Sequence, residues 1–335
     1  MQNDESLHSP IECDSLLHQR DAMKFLKRSL SSPLTILLAA SLLLVSCGTR
    51  PAATTTDGKL KVIATTSIVA DVVAQVGGQN IALTTLLPVG TDPHDYAPRP
   101  QDAASLANAD IVFANGAGLE SFLQPLLESA GAQDKLVEVS QGITLLSFDF
   151  QGVKGNTQPG NDPHTWMDPN NVLLWTQNIA STLSKADPAH ATDYQANAET
   201  YAASLRDLDA WIRTLVAQVP LEKRLLVMDH AVLGYFAAEY GFTQVGTLNG
   251  SFSSEAAPSA RDLAALEDTI RKDGIRAFFL SEAANQTLAE QLAADTGIRV
   301  VWIYHATLTN SSGPAPTYLD FMRYNVAAIT GALRQ

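Results

Sequence analysis

Cysteine is scarce in this chain, and its scarcity limits the chemistry that the chain can perform. The 335 residues include two cysteines, and neither a Cys-x-x-Cys pair nor a His-Glu-x-x-His motif occurs. If the residues before Cys47 are removed, as argued below, no disulfide can form and no thiolate metal site exists. Any site for a soft transition metal must then be built from imidazole and carboxylate groups.

Basic residues are also few. The chain has 22 Lys and Arg against 35 Asp and Glu, a formal net charge of −13. Because nucleic-acid phosphates are bound by clusters of Lys and Arg, this balance argues against a nucleic-acid partner. The chain is 46% hydrophobic and 17% charged, which favours a packed core over disorder.

No apolar run is long enough for a comfortable membrane span. Leu34 to Val45 is a run of about a dozen residues that follows Lys24, Lys27 and Arg28. A spanning helix needs roughly 20 apolar residues, whereas a signal-peptide core of about this length is common. The run ends in "LVSC", which resembles a bacterial lipobox and implies cleavage before Cys47 and a lipid on its thiol. An ordinary secretory signal with an accidental cysteine is the alternative.

The amino-terminal segment therefore divides into three parts. We expect residues 1–46 to be a signal region, in which 23–46 is the lipoprotein signal peptide and 1–22 is a start-site artefact or an extension. Residues 47–58 contain Gly, Pro, Thr and Ala without periodicity, which indicates a lipid-anchored tether.

Strands alternate with helices through most of the remaining sequence. Apolar, β-rich runs such as "KLKVIATTS" and "DIVFANG" are separated by helical spacings, and the alternation restarts after residue 220. This pattern predicts an α/β fold with two parallel-sheet lobes, an amino-terminal lobe at 59–187 and a carboxy-terminal lobe at 219–335.

A long helix is predicted between the two lobes, over residues 188–218. Asp187 is placed to cap it and Pro188 to occupy its first position. Apolar residues at spacings of three and four form one stripe: Tyr194, Ala198, Tyr201, Leu205, Leu208, Ile212 and Leu215. At 1.5 Å per residue the helix would be roughly 46 Å long, enough to run along both lobes. A bundle helix or coiled-coil arm is the alternative.

Five histidines follow Cys47, and four of them come after a predicted strand or lie in a loop: His94, His164, His230 and His305. α/β proteins place ligands at the carboxyl ends of strands.

His94 and His164 both occur in Asp-Pro-His, where proline stiffens the turn and Asp92 or Asp162 is placed to hydrogen-bond the ring. His190 falls in the first turn of the long helix and is expected to be solvated. Three or four imidazoles favour zinc or a similar metal over magnesium or calcium.

Several motifs together resemble a known family, the solute-binding lipoproteins of bacterial ABC importers for zinc and manganese. They are "LLPVGTDPHDYAPRPQD", "ANADIVFANGAGLESFL", "NDPHTWMDPNNV", "DPAHATDYQANAETY" and "DHAVLGYFAAEYGF", and the match runs from about Lys61 to the end. The resemblance implies two α/β lobes joined by one long rigid helix. It also implies a metal site in the cleft between the lobes and delivery of the metal to a membrane permease.

The resemblance implies a ligand set as well. The first three family ligands fall on His94, His164 and His230, and histidine at the third place is typical of zinc-type members, whereas manganese-type members have glutamate. The family's fourth ligand, an aspartate, falls on Ala306. We expect the neighbouring His305 to take its place, with Glu282 or a water as alternatives. The histidine-rich loop of some zinc-type members is missing, since residues 151–163 contain no histidine.

The expected function is therefore high-affinity capture of zinc, or second of manganese, and delivery to an ABC importer permease, without catalysis. We expect a monomer that is anchored by lipid on the periplasmic side of a membrane or on the outer face of the plasma membrane. One alternative is a zinc-dependent hydrolase with a metal-bound water and Glu282 as its base. Another is a lipoprotein that adheres to a host surface or binds an organic solute.

Overall fold

The alternating strands and helices form two separate parallel sheets of four strands each. The structure is a computed structural model that describes residues 58–147, 160–248, 259–281 and 284–334. The predicted signal region, the tether up to residue 57, Cys47 and Glu282 lie outside the described residues. Among the described residues, no helix combines the length and the apolar character that crossing a membrane requires.

The sheet of the first lobe has the strand order β2-β1-β3-β4, and every neighbouring pair is parallel. Its strands are β1 (Leu60–Ala64), β2 (Ile81–Thr85), β3 (Ile111–Ala114) and β4 (Leu136–Glu138). The helices of this lobe are α1 (Ser67–Gly77), α2 (Pro100–Asn108), α3 (Leu123–Ala130) and α4 (Pro169–Ala186). All four residues of β3 are buried. Its continuous apolar sequence follows from helices covering both faces of the sheet.

The sheet of the second lobe repeats this arrangement, with the order β6-β5-β7-β8 and parallel pairs throughout. Its strands are β5 (Leu225–Met228), β6 (Thr243–Thr247), β7 (Ala277–Ser281) and β8 (Arg299–Ile303). With the long connecting helix numbered α5, the helices of this lobe are α6 (Gly234–Tyr240), α7 (Ala260–Asp273), α8 (Gln286–Thr296) and α9 (Tyr318–Leu333). The predicted two-lobed α/β fold is confirmed.

The connecting helix α5 spans Ala191–Val216 and is preceded by a 3-10 turn at Pro188–His190. The α-helix is thus shorter at both ends than the predicted 188–218. At its start, Asp187 ends α4 and the chain turns before α5 begins. Its 26 residues span roughly 39 Å at 1.5 Å per residue. Every residue of the predicted stripe is buried except Leu215, which is half-buried.

Helix α4 was not predicted from the sequence, although it is 18 residues long. Its signals are Asp168, whose side chain caps the helix, and Pro169 at the first position. Buried residues of α4, including Trp175 and Ile179, join a hydrophobic cluster that also contains residues of α1, α5 and α9 and of both sheets. The two lobes therefore share one continuous apolar core, which we call the shared core.

Candidate metal centre

Three of the predicted histidines come together between the lobes. His94, His164 and His230 each offer one ring nitrogen, and these three atoms all lie within 4.8 Å of one another. His94 lies in the loop after β2, His164 precedes the 3-10 turn at Thr165–Met167, and His230 lies two residues after β5. Each side chain thus projects from a loop at or near the carboxyl end of a sheet, where an α/β fold positions its ligands.

Both Asp-Pro-His motifs adopt the same local turn. The backbone N–H of His94 donates to Asp92 Oδ1 at 2.9 Å, and that of His164 donates to Asp162 Oδ1 at the same distance. An aspartate that accepts a backbone N–H two residues later fixes the chain locally, and the intervening proline restricts it further. This shared turn explains why one sequence pattern presents a histidine at two places.

The imidazole of His164 is fully buried and is oriented by two neighbours. Its Nδ1–H donates to Asp162 Oδ1 at 2.7 Å, so that Nε2 faces the cluster, 3.1 Å from His94 Nε2. The indole of Trp166 packs edge-on against the ring, with centroids 5.3 Å apart. The predicted role of Asp162 as support for the ring agrees with this geometry, and the carboxylate leaves one nitrogen available to a ligand.

His230 is oriented by a carboxylate that was not predicted, Asp229. The Nδ1–H of His230 donates to Asp229 Oδ2 at 2.8 Å, and the backbone N–H of Ser281 donates to Asp229 Oδ1 at 3.1 Å. Both His230 and Asp229 are buried. Within the described part of the chain, His230 Nε2 is buried without a hydrogen-bond partner. A neutral imidazole nitrogen of this kind is able to bind a metal cation. The sequence signal was the acid directly before histidine at a strand end.

Burial keeps two of these imidazoles neutral. Removal from solvent lowers the pKa of His94 to about 4 and holds the pKa of His164 well below its usual range, and the neighbouring imidazoles add to both shifts. Neutral imidazole is the form that binds a metal.

The two supporting carboxyls shift in opposite directions. Burial raises the pKa of the Asp162 carboxyl to about 8. Burial also acts to raise the pKa of Asp229, but its electrostatic interactions with the nearby imidazoles and its hydrogen bonds with the His230 ring and the Ser281 hydroxyl outweigh burial, so the net pKa is lowered. A cation bound at His164 Nε2 would oppose the rise at Asp162, because it favours the carboxylate that accepts from Nδ1–H.

His305 lies beside the three-histidine group rather than within it. Its buried ring packs edge-on against His230, with centroids 4.5 Å apart and an interplanar angle of 82°. Its backbone carbonyl accepts the indole N–H of Trp166 at 2.9 Å. His190 is not part of this group: it lies before the long helix, where its ring hydrogen-bonds Asp187 Oδ2 at 2.6 Å.

A buried carboxyl that was not predicted, Glu120, holds the loops of the first lobe. Its Oε1 accepts the Thr65 hydroxyl at 2.7 Å and the Asn115 N–H at 2.8 Å, and its Oε2 accepts the Gly116 N–H at 3.1 Å. The Asn115 side-chain amide donates in turn to the carbonyl of Pro163 at 3.0 Å. The network therefore connects the ends of β1 and β3 to the residue before His164. Burial raises the pKa of Glu120, against the effect of these hydrogen bonds.

The fold and this site together define a solute-binding protein for metal ions, of the kind that serves ABC transporters. Residues 62–332 match the family model described as ZnuA, zinc-uptake complex component A periplasmic, and the chain belongs to this family. The resemblance drawn from the sequence motifs is thereby confirmed.

Individual relatives agree with the family assignment. The chain is 31% identical to the manganese-binding lipoprotein MntA of Halalkalibacterium halodurans, over 90% of this chain and 97% of that protein. The structure of a manganese-bound periplasmic metal-binding protein from Candidatus Liberibacter asiaticus matches with a TM-score of 0.72 and 28% identity, over 82% of this chain and all of that one. The periplasmic zinc-binding protein TroA of Treponema pallidum matches with a TM-score of 0.73 and 26% identity, over 82% and 99%.

Proposed function

We propose that this protein captures zinc, with manganese as the second candidate, and delivers it to the membrane permease of an ABC importer. One observation carries the proposal: ring nitrogens of His94, His164 and His230, contributed by both lobes, lie within 4.8 Å of one another. Two nitrogens bound to one tetrahedral zinc at about 2.0–2.1 Å lie roughly 3.3 Å apart. The 3.1 Å between His94 Nε2 and His164 Nε2 is close to that spacing.

The donor set supports zinc over manganese. All three clustered donors are imidazole nitrogens, and imidazole suits zinc, whereas manganese favours carboxylate, carbonyl and water oxygens. His230 stands where the manganese-type resemblance implies glutamate. The names of the relatives support the metal class without deciding between the ions, since MntA is named for manganese and TroA for zinc.

His305 is our candidate for the fourth ligand. Its buried ring packs against His230, which places it beside the three clustered imidazoles. Glu282, which precedes α8, is the alternative ligand, and Asp92, Asp162 and Asp229 act as supports behind the histidines. A four-histidine set would be closed to further ligands, which suits binding better than catalysis.

The bound ion is cargo in this proposal, and the protein performs no reaction on a substrate. Residues 59–187 and 219–335 bind the ion from two sides, and helix α5 within the 188–218 link limits how far they separate. A lipid on Cys47 would hold the protein on the outer side of a membrane, near the permease. The proposal of an anchor is supported by the lipobox-like sequence and by the relatives that are named lipoproteins.

The direct test is a competitive titration of the purified protein with zinc and with manganese against a chelator, together with elemental analysis of the protein as purified. The variants are His94→Ala, His164→Ala, His230→Ala and His305→Ala, and His190→Ala is the matched control. We expect the first three to lose high-affinity binding, His305→Ala to weaken it, and the control to bind as the unaltered protein does. Unchanged affinity in the first three variants would refute the site.

Delivery is tested in cells. Deleting the gene should lower uptake of radiolabelled zinc at limiting concentration, and the intact gene should restore uptake whereas the His164→Ala gene should not. Uptake that is independent of the gene would contradict the transport role even if the purified protein binds zinc.

A further inference from the structure

A short segment after β8 connects the second lobe to both histidine loops of the first. We call residues 86–99 the His94 loop and residues 160–168 the His164 loop. The carbonyl of His305 accepts the indole N–H of Trp166 from the His164 loop at 2.9 Å. Two residues later, the hydroxyl of Thr307 accepts the backbone N–H of Gly90 from the His94 loop at 3.0 Å.

Thr307 is the residue of this segment whose side chain makes the contact. It is 5% exposed, and its Oγ1 also lies 3.1 Å from the hydroxyl of Ser67, the first residue of α1. The backbone N–H of Leu308 donates to Ser67 Oγ at 2.9 Å, and Thr307 Oγ1 donates to the Leu308 carbonyl at 3.1 Å. When the Ser67 hydroxyl donates to Thr307 Oγ1, the Thr307 hydroxyl donates to the Leu308 carbonyl, so each hydroxyl proton has one acceptor. Thr307 Oγ1 then accepts two hydrogen bonds from the first lobe, one from the Gly90 N–H and one from the Ser67 hydroxyl.

Gly90 lies at the turn of the His94 loop, four residues before the histidine. Its φ of +84° lies in the region that favours glycine, and the N–H of Thr91 donates to the carbonyl of Pro88 at 3.1 Å across the same turn. The loop contains no helix or strand between the end of β2 and the start of α2. A hydrogen bond at its turn therefore restrains a segment that regular secondary structure does not hold.

We propose that Thr307 is a positioning residue for metal binding, which acts through Gly90 to hold the His94 loop against the second lobe. The inference rests on the proposed function, because it concerns how long His94 stays on the ion. Loss of the Thr307 hydroxyl leaves the Gly90 N–H without its acceptor and lets the loop move away. His94 then leaves the ion more often, so the rate of metal release rises while the rate of capture changes little.

The test measures zinc release from the protein into excess chelator by stopped flow, alongside zinc affinity and the melting temperature. Thr307→Val keeps the shape of the side chain and removes the hydroxyl. We expect it to release zinc roughly tenfold faster than the unaltered protein. Thr307→Ser restores the hydroxyl and should return the rate to within about twofold, which a role limited to packing of the threonine methyl would not do.

The matched control is Thr269→Val in α7. Thr269 lies in the same lobe, and its hydroxyl donates only to Ala265 within its own helix, at 2.9 Å on the surface. We expect this variant to release zinc at the unaltered rate. If Thr307→Val does not fold, Ser67→Ala removes the other hydroxyl of the pair and should also speed release.

The outcomes separate the two proposals. If the unaltered protein binds zinc and folded Thr307→Val releases it at the same rate, the positioning role is wrong and the proposed function stands. The same holds if Thr307→Val does not fold and Ser67→Ala releases zinc at the unaltered rate. If the unaltered protein binds neither zinc nor manganese, both proposals fail.

Discussion

The His94 loop and the His164 loop begin from the same motif and differ in what surrounds it. In both, an aspartate accepts the backbone N–H of the histidine at 2.9 Å. His164 is fully buried, with Asp162 on its ring, Trp166 against its face and Glu120 fixing the preceding residues through Asn115. His94 is half-buried, and its loop is tied to the second lobe through Gly90. The shared motif gives both histidines the same backbone turn, whereas the surrounding residues determine how deeply each ring is buried and which groups hold it.

The largest effect expected from this comparison is the loss of the buried histidine. His164→Ala removes a ligand and also leaves Asp162 buried without its ring donor, so we expect zinc affinity to fall by more than the roughly hundredfold that marks the loss of a supporting residue. His94→Ala removes a ligand from a half-buried position and should cost less. Titration of both variants against one chelator measures the two losses of zinc affinity. An equal loss, or a larger loss in His94→Ala, would contradict the difference that we infer between the two loops.

The next largest effect is a difference in zinc affinity between variants of the two motif aspartates, Asp162 and Asp92. Asp162→Asn weakens the acceptor of the His164 ring, and we expect zinc affinity to fall by about 10- to 100-fold, the usual cost of losing such a support. Asp92 accepts the backbone N–H of His94 and is half-buried, whereas Asp162 is buried, so we expect Asp92→Asn to lower zinc affinity by less than about tenfold. If Asp92→Asn lowers zinc affinity as much as Asp162→Asn does, the two aspartates support their histidine rings equally.

A smaller effect is expected from crowding behind Asp162. A Cβ at Gly234, the first residue of α6, would lie 2.2 Å from Asp162 Oδ2. Gly234→Ala must therefore displace the carboxylate that orients His164, and we expect zinc affinity to fall by roughly tenfold.

Gly331→Ala is the control for this change, because nothing lies within 4 Å of a Cβ there and the residue is inside α9. It should leave affinity unchanged and slightly raise the melting temperature, since alanine favours a helix over glycine. Equal zinc affinity in the two variants would show that Asp162 tolerates the displacement.

The smallest expected effect concerns the protonation of His94, which should change little with pH. Burial lowers the pKa of His94 to about 4, so its ring should stay neutral as the pH falls from 8 to 5, whereas an ordinary histidine titrates near 6.5. The unfolded chain binds this proton first, so His94 contributes stability that is lost as the pH falls from about 6.5 to about 4.

Asp162 titrates in the opposite sense, because its pKa is raised to about 8. Its contribution to the stability of the metal-free protein is lost as the pH rises from about 4 to about 8. The His94 ring resonances, followed by NMR in metal-free protein, distinguish the two groups better than melting does. A His94 midpoint near 6.5 would contradict the effect of burial.

Much of the fold was predictable because its signals are local. The period of the apolar residues predicts the strands of both lobes, and the stripe from Tyr194 to Ile212 predicts the long helix. Helix α4 was missed although Asp168 and Pro169 mark its start. The 3-10 turn at Pro188–His190 was missed because proline suits the first turn of either helix type.

The site was only partly predictable because its support depends on distant residues. The meeting of His94, His164 and His230 was predicted from the loop and strand-end positions of these histidines together with the family resemblance. Glu120 was missed because its partner Thr65 lies 55 residues away, and no local pattern marks a buried carboxyl. The position of His305 beside the group depends on how the segment after β8 packs on Trp166.

The shared core has a consequence for how the protein melts. Side chains of α1, α4, α5 and α9 and of both sheets belong to the same buried cluster, so neither lobe can lose its structure without uncovering apolar surface of the other. Two sheets in one chain would ordinarily allow two melting steps. Here calorimetry should record one cooperative transition, in which the calorimetric and van't Hoff enthalpies agree.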